Sequence, residues 1–203
     1  NEYDAVVQIT IGANFSCCYQ NACAAAQEYE NVFVVDSENL STGQGLLVVA
    51  AAKLAEQGLS GTEIAERVRA LAPKVEASFL IECLDYMRKG GRCSAVAALG
   101  ANLLHLKPCI EVRNGKMAVC KKYRGSFEKC IRQYVKERLD GREDIAPELA
   151  FITHAAADAN VVAAAKEEAA QYGSFETVEE TQAGCTVSCH CGPNTLGILF
   201  VRK

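Results

Sequence analysis

Short apolar runs of strand length alternate with longer stretches of helical character over the first third of the chain, which predicts βαβ units and a parallel sheet. Ala5 to Ile11 reads as the first strand and Val32 to Val35 as the second. Between them, Cys18 to Tyr29 is rich in Ala and Gln and follows Ser16, a residue type suited to a helix N-terminus. The loop Gly12-Ala13-Asn14-Phe15-Ser16 therefore belongs at the C-terminal edge of a strand, where open α/β sheets bind ligands.

A helix is expected over Gly43 to Glu56, stopped by Gly58, and a shorter one over Thr62 to Leu71 with Ser60 as its cap. Pro73 punctuates the chain, and the pattern changes near Lys74. Beyond that point the chain reads as a strand (Glu76 to Ile81), two helical pieces around Gly90-Gly91, and a hairpin. The hairpin joins Cys109–Arg113 to Lys116–Lys122 through Asn114-Gly115, the favoured pair for a type I′ turn. A helix (Phe127 to Arg138), a strand (Leu149 to Thr153), a helix (Asp158 to Tyr172) and two strands (Phe175 to Thr181, Thr195 to Val201) complete the pattern.

Composition narrows the class. Half of the 203 residues are hydrophobic, enough for one or two buried cores. Only 23% are charged and the net charge is −4, so no basic surface serves a row of phosphates and nucleic acid is excluded as a partner. No apolar run reaches the roughly 18 residues of a membrane span, and the polar opening Asn1-Glu2-Tyr3-Asp4 is not a signal peptide; a cytoplasmic protein is expected. The absent initiator methionine and the immediate strand suggest a fragment. Most of the eleven cysteines, scattered through apolar segments, read as small buried hydrophobes.

Four segments could carry chemistry. Asn14-Phe15-Ser16-Cys17-Cys18-Tyr19-Gln20 places a hydroxyl beside unpaired helix amides, a setting for a carboxylate or phosphate, although a simple N-cap serine has the same spacing. Tyr86-Met87-Arg88-Lys89-Gly90-Gly91-Arg92-Cys93-Ser94 clusters three cations around two glycines, or is a solvated helix end. Gly184 to Thr195 holds Cys185, Cys189, His190 and Cys191 before a strand. Read as extended, Cys189-His190-Cys191 points alternate side chains to opposite faces, unlike a zinc knuckle, and a buried-thiol strand edge is the plainer reading. No Cys-x-x-Cys pair marks a redox site. Leu99 to Cys109 is apolar and suits either core or the wall of an acyl channel.

Order and spacing say more than any one segment. Ser16 in a Phe-Ser-x-x-Tyr-Gln-x-Ala context, Val34-Val35-Asp36-Ser37 with Gly43-Gln44-Gly45, Tyr86 to Arg92, Leu106-Lys107-Pro108 and His190-x-Gly192-Pro193-x-Thr195-x-Gly197 together resemble the DegV family. The resemblance implies a two-domain α/β protein. Residues 1–74 would be the remainder of a parallel-sheet domain and 75–203 an α/β lipid-binding domain with a mixed sheet. It implies a buried long-chain fatty acid, its carboxylate held by Ser16, His190 and Asn194, with no cofactor, no metal and no catalytic residue. Arg92 would contact a partner or a phosphate.

Members of this family resemble the fatty-acid-binding subunit of bacterial fatty acid kinase, so a separate ATP-dependent kinase is the implied partner. The chain has no Gly-x-x-x-x-Gly-Lys-Ser/Thr loop of its own. It departs from the family in having Cys17-Cys18 for Gly-Thr and Asn194 for a second Gly, and it lacks the family's first strands with their hydroxyl-bearing loop. A truncated first sheet covered by a neighbouring copy is expected. A metal- or thiol-dependent protein centred on Cys185–Cys191 is the alternative.

Overall fold

The computed structural model describes residues 3–92 and 106–203, which divide into two compact units. The first comprises Asn1–Val75 with the turn Arg113–Lys116, the second Glu76–Val112 and Met117–Lys203.

In the first unit β1 (Val6–Thr10) and β2 (Val32–Asp36) pair in parallel, in register from Val6 with Val32 to Thr10 with Asp36. Three helices accompany them: α1 (Cys18–Ala26), α2 (Ser41–Glu56) and α3 (Gly61–Leu71). The β-branched runs form strands because branched side chains pack well on a pleat and lose helix entropy. Leu46 and Leu47 of α2 and Ile64, Ala65 and Val68 of α3 are buried with Val34 and Val35. Arg69 on α3 donates to the Val34 carbonyl at 2.9 Å. The expected Ser60 cap is a full capping box: Ser60 Oγ accepts from Glu63 N–H while Glu63 accepts from Ser60 N–H. By contrast α1 buries no residue, and it ends at Ala26, three residues earlier than its composition suggested.

In the second unit a six-stranded mixed sheet runs in the order β5-β4-β3-β8-β6-β7. Its strands are β3 (Val75–Ile81), β4 (Leu106–Arg113), β5 (Lys116–Arg124), β6 (Ile145–Ala155), β7 (Val178–Gln182) and β8 (Thr195–Arg202). The strand expected over Leu149–Thr153 is twice as long; a register shift between Ile145 and Ala150 against β8 lets it continue past Pro147. The Asn114-Gly115 turn has positive φ at both positions, 49° and 68°, as a type I′ turn demands.

Helices α5 (Phe127–Leu139) and α6 (Ala159–Tyr172) pack on one sheet face through Ile131, Tyr134, Val135, Val161 and Ala165 against Leu80, Ile152, Ile198 and Phe200. The Tyr134 hydroxyl enters the sheet: it donates to the Ser78 carbonyl at 2.6 Å and accepts from Ile198 N–H at 3.1 Å. A smaller cluster of Ile81, Met87, Ile110, Ala155 and Cys191 joins α4 (Asp85–Gly90) and α7 (Cys185–Cys191) to the sheet.

Two expectations change here. Cys185–Cys191 is a helix, not an extended edge, so side chains four apart share a face: Cys185 with Cys189, Thr186 with His190. Nor are most cysteines buried. Of the ten described, Cys109, Cys130 and Cys191 are buried, whereas Cys17, Cys18, Cys120, Cys185 and Cys189 are exposed. The second helical piece expected after Gly91, and the apolar stretch Leu99–His105, lie outside the described residues.

Candidate functional site

The loops after β1 and β2 are tied together by one carboxylate. Asp36 Oδ1 accepts from Ala13 N–H at 3.1 Å and from Glu38 N–H at 2.9 Å, and Gly12 N–H reaches the Asn39 carbonyl at 2.8 Å. Gly12 is needed for this approach, since a Cβ there would lie 3.1 Å from Asn39 N and from Phe15 Cδ2. The result holds Ser16 in front of α1, half-exposed, its Oγ accepting from Cys18 N–H at 3.3 Å and 3.1 Å from Cys18 Sγ. Ser16 thus satisfies one amide of the first turn. A hydroxyl beside the free amides of a helix start is an arrangement suited to an anion.

In the second unit the Gly-Gly segment and the closing motif form one structure. Gly91 (φ 63°) ends α4 in the left-handed conformation, and Gly192 (φ 78°) ends α7, its N–H on the Ser188 carbonyl at 2.8 Å. The two helices meet through glycine. A Cβ on Gly90 would lie 2.5 Å from His190 Cδ2, and one on Gly192 would collide with the Tyr86 ring. His190 is partly exposed, and its Nδ1 donates to the Thr186 carbonyl at 2.7 Å. Because a carbonyl only accepts, Nδ1 carries the proton and Nε2 is left for another group.

Asn194 follows in a left-handed turn (φ 51°), donating to Glu82 at 2.8 Å and accepting from Asp158 N–H at 3.2 Å. Lys107 pairs with the other oxygen of Glu82 at 3.1 Å, so Leu106-Lys107-Pro108 and the closing motif converge on one carboxylate. Glu82 was not singled out in the sequence, where it sits in no segment of distinctive spacing; Thr186 lies within the Gly184–Thr195 segment, but its carbonyl's part in holding His190 has no sequence signal. Arg92 is exposed at the end of α4, its guanidinium donating to the Gly90 carbonyl at 3.2 Å, the geometry of a solvated helix end.

The structure thus places Ser16 in the first unit and His190, Asn194 and Arg92 in the second. Cys185 and Cys189 face solvent from α7 while Cys191 turns into the core. Among the described residues no group of three or more His, Cys, Asp or Glu side chains is gathered as a metal would need.

These features define a mixed α/β protein with a parallel two-stranded sheet in one unit and a six-stranded mixed sheet in the other. The whole chain, residues 1–203, matches the family model described as "Uncharacterised protein, DegV family", and the chain belongs to the DegV family. It is 32% identical to a DegV domain-containing protein of Clostridium acetobutylicum, across 98% of this chain and 70% of that protein. Protein DegV of Bacillus subtilis is 30% identical, across 99% and 72%. Among solved structures, a DegV family protein from Thermus thermophilus described by its fatty acid binding superposes with a TM-score of 0.87 at 28% identity, over 100% of this chain and 72% of that one. The DegV structure from Bacillus subtilis, described as a fatty acid binding protein, has a TM-score of 0.79 at 27% identity, over 99% and 72%.

Proposed function

We propose that this chain binds a long-chain fatty acid and holds its carboxylate with Ser16 and His190, Asn194 supplying the remaining Nδ2 hydrogen. The observation that carries the reading is the state of His190. Its ring is seated on Gly90 and held through Nδ1 by the Thr186 carbonyl, on the helix whose Cys191 joins an apolar cluster with Ile81, Met87 and Ile110. A carboxylate attached to an apolar chain needs hydrogen-bond partners, since an unpaired charge out of water protonates or leaves, and Nε2 can serve as one only when it or the acid carries a proton. The fatty-acid-binding relatives of the same fold support the ligand class.

The protein acts as a carrier rather than an enzyme. Presentation of the acid to a separate ATP-dependent kinase is the accompanying proposal, with exposed Arg92 as a contact for that partner or its phosphates. The surface position of the guanidinium leaves it open to such an encounter.

Native mass spectrometry with lipid extraction tests the reading on the parent and on Ser16→Ala and His190→Ala. Fatty acid retained by the parent and depleted in both variants is the expected result. A parent that stays empty after incubation with fatty acids would restrict the likeness to the fold. Addition of a candidate kinase with ATP, followed by detection of acyl phosphate, tests the partner separately.

A further inference from the structure

The second unit contains a pair of thiols that the fatty-acid reading does not use. Counting outward from the two-residue Asn114-Gly115 turn, Arg113 faces Lys116 and, four positions further, Cys109 faces Cys120 across neighbouring strands β4 and β5. Opposed residues on antiparallel strands have their Cα atoms about 4.5–5.5 Å apart, within the span a disulfide bridges. Cys120 Sγ lies 3.5 Å from the Cys109 carbonyl oxygen, which fits the juxtaposition.

The two sulfurs are not equivalent. Cys109 is buried in the core beneath α5, whereas Cys120 is exposed. Arg138 of α5 bridges them, its Nη2 3.2 Å from Cys120 Sγ and 3.8 Å from Cys109 Sγ. The guanidinium is held in place by Glu111 at 2.9 Å and Glu76 at 3.4 Å, and Arg142 shares Glu76 at 2.8 Å. A hydrogen bond from the Cys109 thiol, followed by the charge of Arg138, draws the Cys120 thiol below its ordinary range, against partial burial and the opposing charge of Glu111. The same hydrogen bond, together with burial, pushes Cys109 up. Cys120, the exposed sulfur nearer the cation, is thus the member of the pair that gives up its proton more readily.

We propose that Cys120 and Cys109 form an oxidation-sensitive dithiol, in which Cys120 reacts with hydroperoxides and Cys109 resolves the product to a disulfide that staples the hairpin. In the first step the Cys120 thiolate attacks one peroxide oxygen. An S–O bond forms, the O–O bond breaks, and the departing hydroxide or alkoxide takes a proton from solvent. Cys120 is oxidised by two electrons to the sulfenic acid and the peroxide is reduced to water or alcohol. In the second, Cys109 sulfur attacks Cys120 sulfur; the S–S bond forms, the S–O bond breaks, and hydroxide leaves as water with the proton of Cys109. Because the two cysteines lie on neighbouring strands of one hairpin, the second step is intramolecular.

Peptide mapping of the intact chain after brief exposure to hydrogen peroxide tests this directly, alongside competitive alkylation with iodoacetamide at neutral pH. The expected result is a Cys109–Cys120 disulfide, assigned to Cys109 by fragmentation because the tryptic peptide ending at Arg113 also holds Cys93. Alkylation of Cys120 before oxidation should be about tenfold faster than that of the other exposed thiols Cys17, Cys18, Cys185 and Cys189. In Cys109→Ser a dimedone-trapped sulfenic acid should accumulate at Cys120. Equal alkylation rates across the exposed thiols, or disulfides joining other pairs first, would overturn the proposal. A sulfenic acid at Cys120 that persists in the parent would overturn the role of Cys109. Both readings on the parent remain decisive if the Cys109 variant fails to fold.

Discussion

Gly90 and His190 touch: the imidazole occupies the space a side chain on residue 90 would fill, its Cδ2 only 2.5 Å from where a Cβ would stand. A glycine on one helix thereby sets the ring position on another. The contact explains why the Gly-Gly segment and the closing segment belong to one pattern although a hundred residues separate them.

Gly90→Ala should displace the ring without unfolding the chain, because His190 is partly exposed and can swing outward. If His190 contacts the carboxylate, fatty acid affinity should fall by about tenfold, the equivalent of roughly 1.4 kcal/mol. Calorimetric titration measures it, and circular dichroism checks the fold. Unchanged affinity would remove His190 from the site.

Fatty acid binding should be coupled to the uptake of a proton. Nδ1 already donates to Thr186, so Nε2 can face a carboxylate only if the ring gains a proton or the acid keeps its own. Titrations in two buffers of different ionisation enthalpy give the proton count, and His190→Gln should abolish the difference between buffers.

Tyr134→Phe should cost about 1–3 kcal/mol in urea unfolding, because it strips a partner from the Ser78 carbonyl and from Ile198 N–H inside the sheet. Ser78→Ala, which removes only the side-chain contact at 2.8 Å and leaves the carbonyl bonded, should cost less. Equal losses would mean that cavity formation, not the hydroxyl, dominates.

Stability should decline in acid. Ser60 holds the Glu63 carboxyl below its usual range, Arg142 does the same for Asp144, and Lys166, then His154, for Glu180. A carboxyl depressed in the folded state contributes stability above its unfolded pKa and loses it as pH falls through the folded value. Thermal unfolding across pH should therefore show Ser60→Ala and Lys166→Met lowering the melting temperature most near neutrality and progressively less toward low pH. A constant offset would point to lost packing or capping instead.

Much of the order of elements is legible in the residues themselves. The β-branched runs of β1 and β2, the Ser60–Glu63 box and the Asn114-Gly115 turn are local signals, and each forms what local sterics and hydrogen bonding favour. The family likeness is legible too, because it rests on short segments whose order survives without knowledge of their contacts.

Cys185–Cys191 is where local reading fails. Seven residues, three thiols, two hydroxyls, one imidazole and the single aliphatic Val187, carry no apolar period, and a helix this short is not stable by itself. Its conformation comes from Val187 and Cys191 packing beside Met87 and Ile81, contacts made by distant parts of the chain.

The sequence by itself determined the cores of β1 and β2, the Asn114-Gly115 turn, the Ser60 cap and the family, because those depend on neighbours within a few positions. Only the tertiary structure decided that Gly90 seats His190, that Glu82 gathers Lys107 and Asn194, and that Arg138 lies between Cys109 and Cys120. Each joins groups tens of residues apart or more through the packing of helices on a sheet, and such packing leaves no period in the chain that forms it.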